Sequence, residues 1–228
     1  IGAISLAAAG LGWQARILDD LSTDELALLT GTFRQHNAER EEPDVLMALS
    51  PFVAEVNQIG LSEKAIQTFS SLDWQGSPNQ LSASQVEWGM EKIATAVRKP
   101  RSLGQYERLQ NPPEQRPLKC RPLSLRKMIR QRRSALAMDG ETRISRDTFF
   151  RMIQRTLVVP GNTVFSTLPW KPHIHLAIFI HRVDGLPTGL YCLVRDPSQR
   201  KALEVAFTKA HAWKRPLGCP EQLGLYCL

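Results

Sequence analysis

Cysteine is scarce in this chain, and what there is forms no framework. The four cysteines are Cys120, Cys192, Cys219 and Cys227. None makes a C-x-x-C pair, so the spacing suggests neither a zinc site nor a disulfide scaffold. A chain of this kind is expected in a reducing compartment, which points to the cytoplasm. Long apolar runs are also missing. The longest stretch, Ile1 to Trp13, is shorter than the roughly 20 residues a spanning helix needs, so no membrane partner is expected. No positive segment precedes it and no cleavage motif is followed by a mature start, so the stretch is not read as the core of a signal peptide. The sequence starts at Ile1, and the expectation is a fragment of a longer protein. There is no short-period repeat.

Positive charge is plentiful. The formal net charge is +7, and much of the excess lies between Arg98 and Arg133. Charge alone leaves three readings open: a solvated linker, a phosphate-bearing cofactor, or a nucleic acid. No recognised nucleic-acid motif accompanies the charge, which makes that partner the weakest of the three.

Local patterns divide the chain. Ile1 to Trp13 reads as a buried, Ala-rich helix released by Gly10 and Gly12. Ser22-Thr23-Asp24-Glu25 is a capping box, and Gly31 a stop for the helix it opens. Asp44 to Leu49 reads as a strand, and residues 70–81 as a loop. Ser82 is placed to cap a helix on which Val86, Met90, Ile93 and Val97 form an apolar stripe. Residues 100–123 carry five prolines and read as an extended connection.

Beyond it, Ser124 caps a short basic helix, and Ser145 caps another with Phe149 and Ile153 on one face. Residues 173–183 alternate as a strand; Gly185 to Gly189 is a turn; Leu190 to Val194 is a second strand. A helix over 198–210 and a strand from Leu223 to Leu228 complete the reading.

The basic helix ends in Arg130-Gln131-Arg132-Arg133-Ser134. Guanidinium forks and a turn hydroxyl suit a phosphate; an amphipathic helix with a wetted charged face is the plainer alternative. His173, His175 and His181 share a strand face by parity, but no Cys or carboxylate ligand stands beside them. Ordinary strand-surface or interface histidines are expected, and no metal. Cys192 lacks a base at a readable spacing and reads as a buried thiol. No side chain is singled out as a catalytic acid, base or nucleophile.

The run Arg132-Arg133-Ser134 resembles the motif that opens the FMN-dependent nitroreductase fold, with Leu136 and Met138 in place of a later arginine and an aromatic residue. The segment Val183-Asp184-Gly185-Leu186-Pro187-Thr188-Gly189-Leu190-Tyr191 resembles the hairpin of the SagB-type dehydrogenase branch. Ile1 to Trp13 resembles the late core helix of the same fold, and Glu39 to Pro51 its closing strand.

A domain-ending part thus precedes a domain-opening part. The resemblance implies an α+β, nitroreductase-like architecture in two incomplete copies: 1–58 closing a first domain, 59–115 connecting, and 116–228 opening a second. It implies an FMN oxidoreductase in which Arg132, Arg133 and Ser134, with Arg130 added, meet the phosphate end of the flavin. NAD(P)H is the implied hydride donor and a small molecule the second substrate. A pseudo-dimer within one chain, or a homodimer, is the implied assembly. The family's P-S-x-G segment, which lies against the flavin ring, has no counterpart in Ser166-Thr167-Leu168-Pro169-Trp170-Lys171-Pro172. That departure opens the alternative of a non-catalytic domain that acts as a scaffold.

Overall fold

The capping box predicted at Ser22 forms as read. The Ser22 hydroxyl accepts from the Glu25 backbone N–H at 3.1 Å, and the Glu25 carboxylate accepts from the Ser22 N–H at 2.8 Å. The computed structural model describes residues 1–35, 41–76, 89–102, 123–159, 162–207 and 211–228. Its elements are helices α1 (Gly2–Gly10), α2 (Thr23–Thr30), α3 (Val53–Val56), α4 (Glu63–Ser70), α5 (Met90–Ala96), α6 (Leu125–Gln131), α7 (Arg146–Gln154) and α8 (Arg200–Ala206). The strands are β1 (Gln14–Ile17), β2 (Met47–Ser50), β3 (Ile144–Ser145), β4 (Leu176–Ile180), β5 (Val183–Asp184), β6 (Gly189–Leu193) and β7 (Leu225–Cys227). The chain is therefore mixed α and β, with small sheets. No helix among the described residues is long and apolar enough to cross a membrane.

Two compact units account for these elements: residues 7–106, and residues 107–228 together with 1–6. In the first, β1 and β2 pair antiparallel from Gln14↔Ser50 to Ile17↔Met47. Leu18, Leu21, Leu26, Ala48, Val56 and Ile66 form its core. Ile66 comes from α4, so the segment expected as a connection, 59–115, supplies part of this core. The chain at Lys99 is stitched to the start of α2: the Thr23 N–H donates to the Lys99 carbonyl at 2.9 Å, and the Lys99 N–H donates to the Thr23 hydroxyl at 2.8 Å. Gly31 ends α2 at φ +75, where a Cβ would stand 2.6 Å from the Trp74 ring. Only glycine fits both the left-handed backbone and that approach.

The second unit is built on the antiparallel sheet β4-β6-β7. β4 and β6 run in register from Leu176↔Leu193 to Ile180↔Gly189, and β6 meets β7 from Tyr191↔Cys227 to Leu193↔Leu225. The expected pair of strands is present. Its connection is more than a turn, because β5 leaves the sheet to pair in parallel with β3. α7, capped by Ser145, lays Phe149, Phe150 and Ile153 on Tyr191, Leu193, Leu223 and Leu225. A Cβ on Gly224 would lie 2.6 Å from the Val194 carbonyl oxygen, so glycine allows the 2.8 Å bond from the Val194 N–H to the Gly224 carbonyl.

Three expectations are corrected. α1 is not a buried helix: Ser5 and Ala8 are covered, whereas Ile4, Leu6, Leu11 and Trp13 are exposed. Ala3, Ala7 and Ala9 are exposed as well, and an apolar composition does not by itself supply a partner. The strand read over 44–49 begins at Met47, and the helix read over 198–210 is a 3-10 turn (Pro197–Gln199) followed by α8, which ends at Ala206. The caps and stripe expected at 82–88, and most of the proline-rich stretch, lie outside the described residues. Of the stripe's remainder, Met90 and Ile93 are exposed on α5 and Val97 just after it.

Candidate functional site

α6 begins where the sequence places it. The Ser124 hydroxyl accepts from the Lys127 N–H at 3.4 Å, and the helix closes with the Arg132 N–H donating to the Met128 carbonyl at 2.9 Å. Arg132 then turns to φ −59, ψ 132, and the backbone leaves the helix. None of the helix's residues is buried, and Met128 and Ile129 are exposed along with its charges.

Ser124, Arg126, Lys127, Arg130 and Gln131 line an open concavity of about 410 Å³. The i, i+4 spacing of Arg126 and Arg130, and of Lys127 and Gln131, brings these side chains to one side of a short helix. Among the described residues, Arg126, Lys127, Arg130 and Arg132 make no ion pair with a carboxylate. Three unneutralised cations and two neutral hydrogen-bonding groups around one hollow suit an anion with several oxygens.

The four residues predicted for the cofactor part company here. Arg130 lines the hollow; Arg132, Arg133 and Ser134 do not. Arg133 folds back on the helix end, where its Nη1 donates to the carbonyls of Arg130 and Arg132, both at 2.9 Å. That guanidinium acts in part as a C-terminal cap. Ser134 is exposed in a stretch without regular secondary structure that continues through Met138, with Leu136 at 99% and Met138 at 85% exposure. Arg126 and Lys127, on the charged face of the same helix, are residues that the resemblance does not single out. Their signal was the helical spacing to Arg130 and Gln131.

The hairpin that resembles the SagB-type branch is well ordered around Tyr191, which is fully buried. Gly185 takes φ +79, the Leu186 N–H donates to the Val183 carbonyl at 3.2 Å, and the Tyr191 hydroxyl donates to the Pro187 carbonyl at 2.9 Å. The segment standing in place of P-S-x-G is engaged with its own unit. The Thr167 hydroxyl is shared between the Ser5 hydroxyl at 2.9 Å and the Thr163 carbonyl at 3.2 Å, and Lys171 Nζ stands 3.9 Å from Asp196.

The histidines do not converge. His173 and His181 are exposed on either side of β4, and the Nδ1 of His175 accepts from the Arg195 N–H at 3.1 Å. Among the described residues, no group of three or more His, Cys, Asp or Glu is arranged to hold a metal. Cys192 is buried opposite Ala177 and Tyr226, and burial pushes its thiol above the usual value, away from nucleophilic use.

The molecule is thus a mixed α and β chain with an anion-suited hollow on a short basic helix. It matches no protein-family model, no curated protein and no solved structure.

Proposed function

We propose that the chain belongs to an FMN-dependent oxidoreductase of the nitroreductase-like, SagB-type dehydrogenase kind. In this reading Arg130 takes the phosphate end of the flavin in the α6 hollow, and the resembling Arg132, Arg133 and Ser134 follow just beyond it on the chain. The unneutralised cations around the α6 hollow carry the reading, because a phosphomonoester dianion is the part of FMN they suit. Arg126 and Lys127 join Arg130 there. The flavin, when bound, supplies hydride transfer between a donor such as NAD(P)H and a small-molecule substrate. The chain's own contribution is to bind and orient through the phosphate end. The order around Gly185, Gly189 and Tyr191 supports the same family, since that hairpin is the more specific of the resembling segments.

A second reading is favoured by one observation. The hydroxyl of Thr167 and the ammonium of Lys171, in the stretch that replaces P-S-x-G, are spent on this chain's own groups. A domain of that kind would complete a pseudo-dimer as a scaffold and hold no flavin.

The visible spectrum of the purified protein separates the two. Flavin bands, or their appearance on reconstitution with FMN, together with loss of flavin in Arg130→Ala, support the oxidoreductase. A colourless protein that cannot be reconstituted overturns it in favour of the scaffold.

A further inference from the structure

Two adjacent residues just after β6 fasten the segment that leads into β4. Arg195 does most of this. Its Nε donates to the Thr156 carbonyl at 2.8 Å and its Nη1 to the Ile174 carbonyl at 3.3 Å. Its guanidinium lies over the Phe165 ring, 4.7 Å from the centroid. Its backbone N–H donates to His175 Nδ1 at 3.1 Å. Asp196 follows, 2% exposed. Its Oδ1 accepts from the Ser198 N–H at 3.0 Å and from the Ser198 hydroxyl at 2.7 Å, while its buried Oδ2 accepts no hydrogen bond. Lys171 Nζ lies 3.9 Å from that oxygen, an ion-pair distance rather than a hydrogen bond.

The bond from Arg195 requires an unprotonated Nδ1, so His175 is neutral here with its proton on Nε2. An imidazolium has no acceptor. Once Nδ1 carries a proton, it faces the Arg195 N–H as donor against donor, and that bond is lost. The same imidazolium would be drawn to the negative charge of Asp196, whose Oδ2 accepts no hydrogen bond, in competition with Lys171.

We propose that His175 is a pH-operated latch on the segment leading into β4. Neutral, it accepts the Arg195 N–H and holds the segment to the sheet; protonated, it gives up that bond, turns to Oδ2 of Asp196 and loosens the segment.

The charges that act on the imidazole are Asp196 and Arg195, just after β6. Lys171, on the lead-in segment with His173, stands 3.9 Å from Asp196. Burial lowers the His175 pKa from its ordinary 6.5; Asp196 pulls it up and Arg195 pushes it down, and the balance is a lowered value. The latch is therefore closed above pH 6.5 and opens as the pH falls through the lowered value. None of this depends on a flavin.

An NMR titration of the protein tests the latch. The His175 imidazole and the Arg195 amide are expected to shift with one common midpoint. Protection of the Arg195 amide, corrected for intrinsic exchange, should fall about tenfold as the pH drops through that midpoint. His175→Asn keeps an acceptor near the Nδ1 position and does not titrate, so the Arg195 amide should then stay put. Asp196→Asn removes the charge that draws the imidazolium and should move the midpoint to lower pH. Separate midpoints, or an Arg195 shift that persists in His175→Asn, would overturn the latch, and an unmoved midpoint in Asp196→Asn would overturn the partner exchange. Should either variant fail to fold, the common midpoint in the unaltered protein decides.

Discussion

The hydroxyl of Tyr191 donates to the carbonyl of Pro187, four residues back, and so closes the turn that delivers the chain into β6. The ring beneath it is fully buried, and Tyr191 pairs across the sheet with Cys227. One residue therefore serves both the turn and the core.

Tyr191→Phe keeps the ring and removes the bond. The expected loss is about 1 kcal/mol, read from urea unfolding, the usual net contribution of one intramolecular hydrogen bond. Burial, with a contribution from Cys227, also pushes the phenol from 10.0 up to about 12. The folded state then holds its proton where the unfolded state releases it. The contribution is complete below pH 10.0 and is lost as the pH rises to about 12. In the Phe variant that alkaline slope should shrink.

Ser22→Ala removes the cap of α2 and should cost about 1 kcal/mol. The same box has a pH signature. The Ser22 backbone N–H holds the Glu25 carboxyl below its usual 4.5, against a smaller opposing effect of burial. Its contribution is present above pH 4.5 and is lost as the pH falls through the lowered value. Glu25→Gln should flatten that part of the acid unfolding curve.

Gly31→Ala meets two obstacles, a left-handed backbone and the Trp74 ring. The backbone alone accounts for about 1–2 kcal/mol, and the ring contact adds to it. Thermal unfolding should show a loss larger than for Gly60→Ala, where no atom lies within 4 Å of the added carbon.

If the α6 hollow takes the flavin phosphate, Arg130→Ala should weaken FMN binding by about tenfold or more, as loss of a charge-assisted bond does. Arg133→Ala should weaken it less, because part of that guanidinium already caps the helix. Added salt should lower the affinity of the unaltered protein and matter less in Arg130→Ala. Fluorescence titration of FMN measures all three.

What the sequence made legible was mostly local. The caps at Ser22, Ser124 and Ser145 are three-residue relationships, and each forms. Alternation from Ile174 to Ile180 marked β4, because one face had to meet α7 and the other did not. The parallel pair β3–β5 was illegible, since two residues carry no period. The exposure of α1 was hidden for a different reason: apolar letters state a preference for burial and not the presence of a cover. At the candidate site, spacing set Arg130 on the charged face, but the backbone's exit at Arg132 decided that Ser134 would miss the hollow. The contacts of Arg195 with Thr156 and Ile174 span 39 and 21 positions, and nothing local announces them.

The run from Arg132 to Met138 is exposed and without regular secondary structure, which makes it a target for proteolysis. Proteases bind irregular, accessible backbone, and this stretch is entered through two consecutive arginines. A trypsin-like enzyme at low dose should cut first after Arg132 or Arg133, leaving α7 and the β4-β6-β7 sheet together on the C-terminal piece. Anything seated on the α6 hollow and reaching across that run would shield the bond, so the rate of the first nick reports occupancy without requiring any knowledge of the occupant.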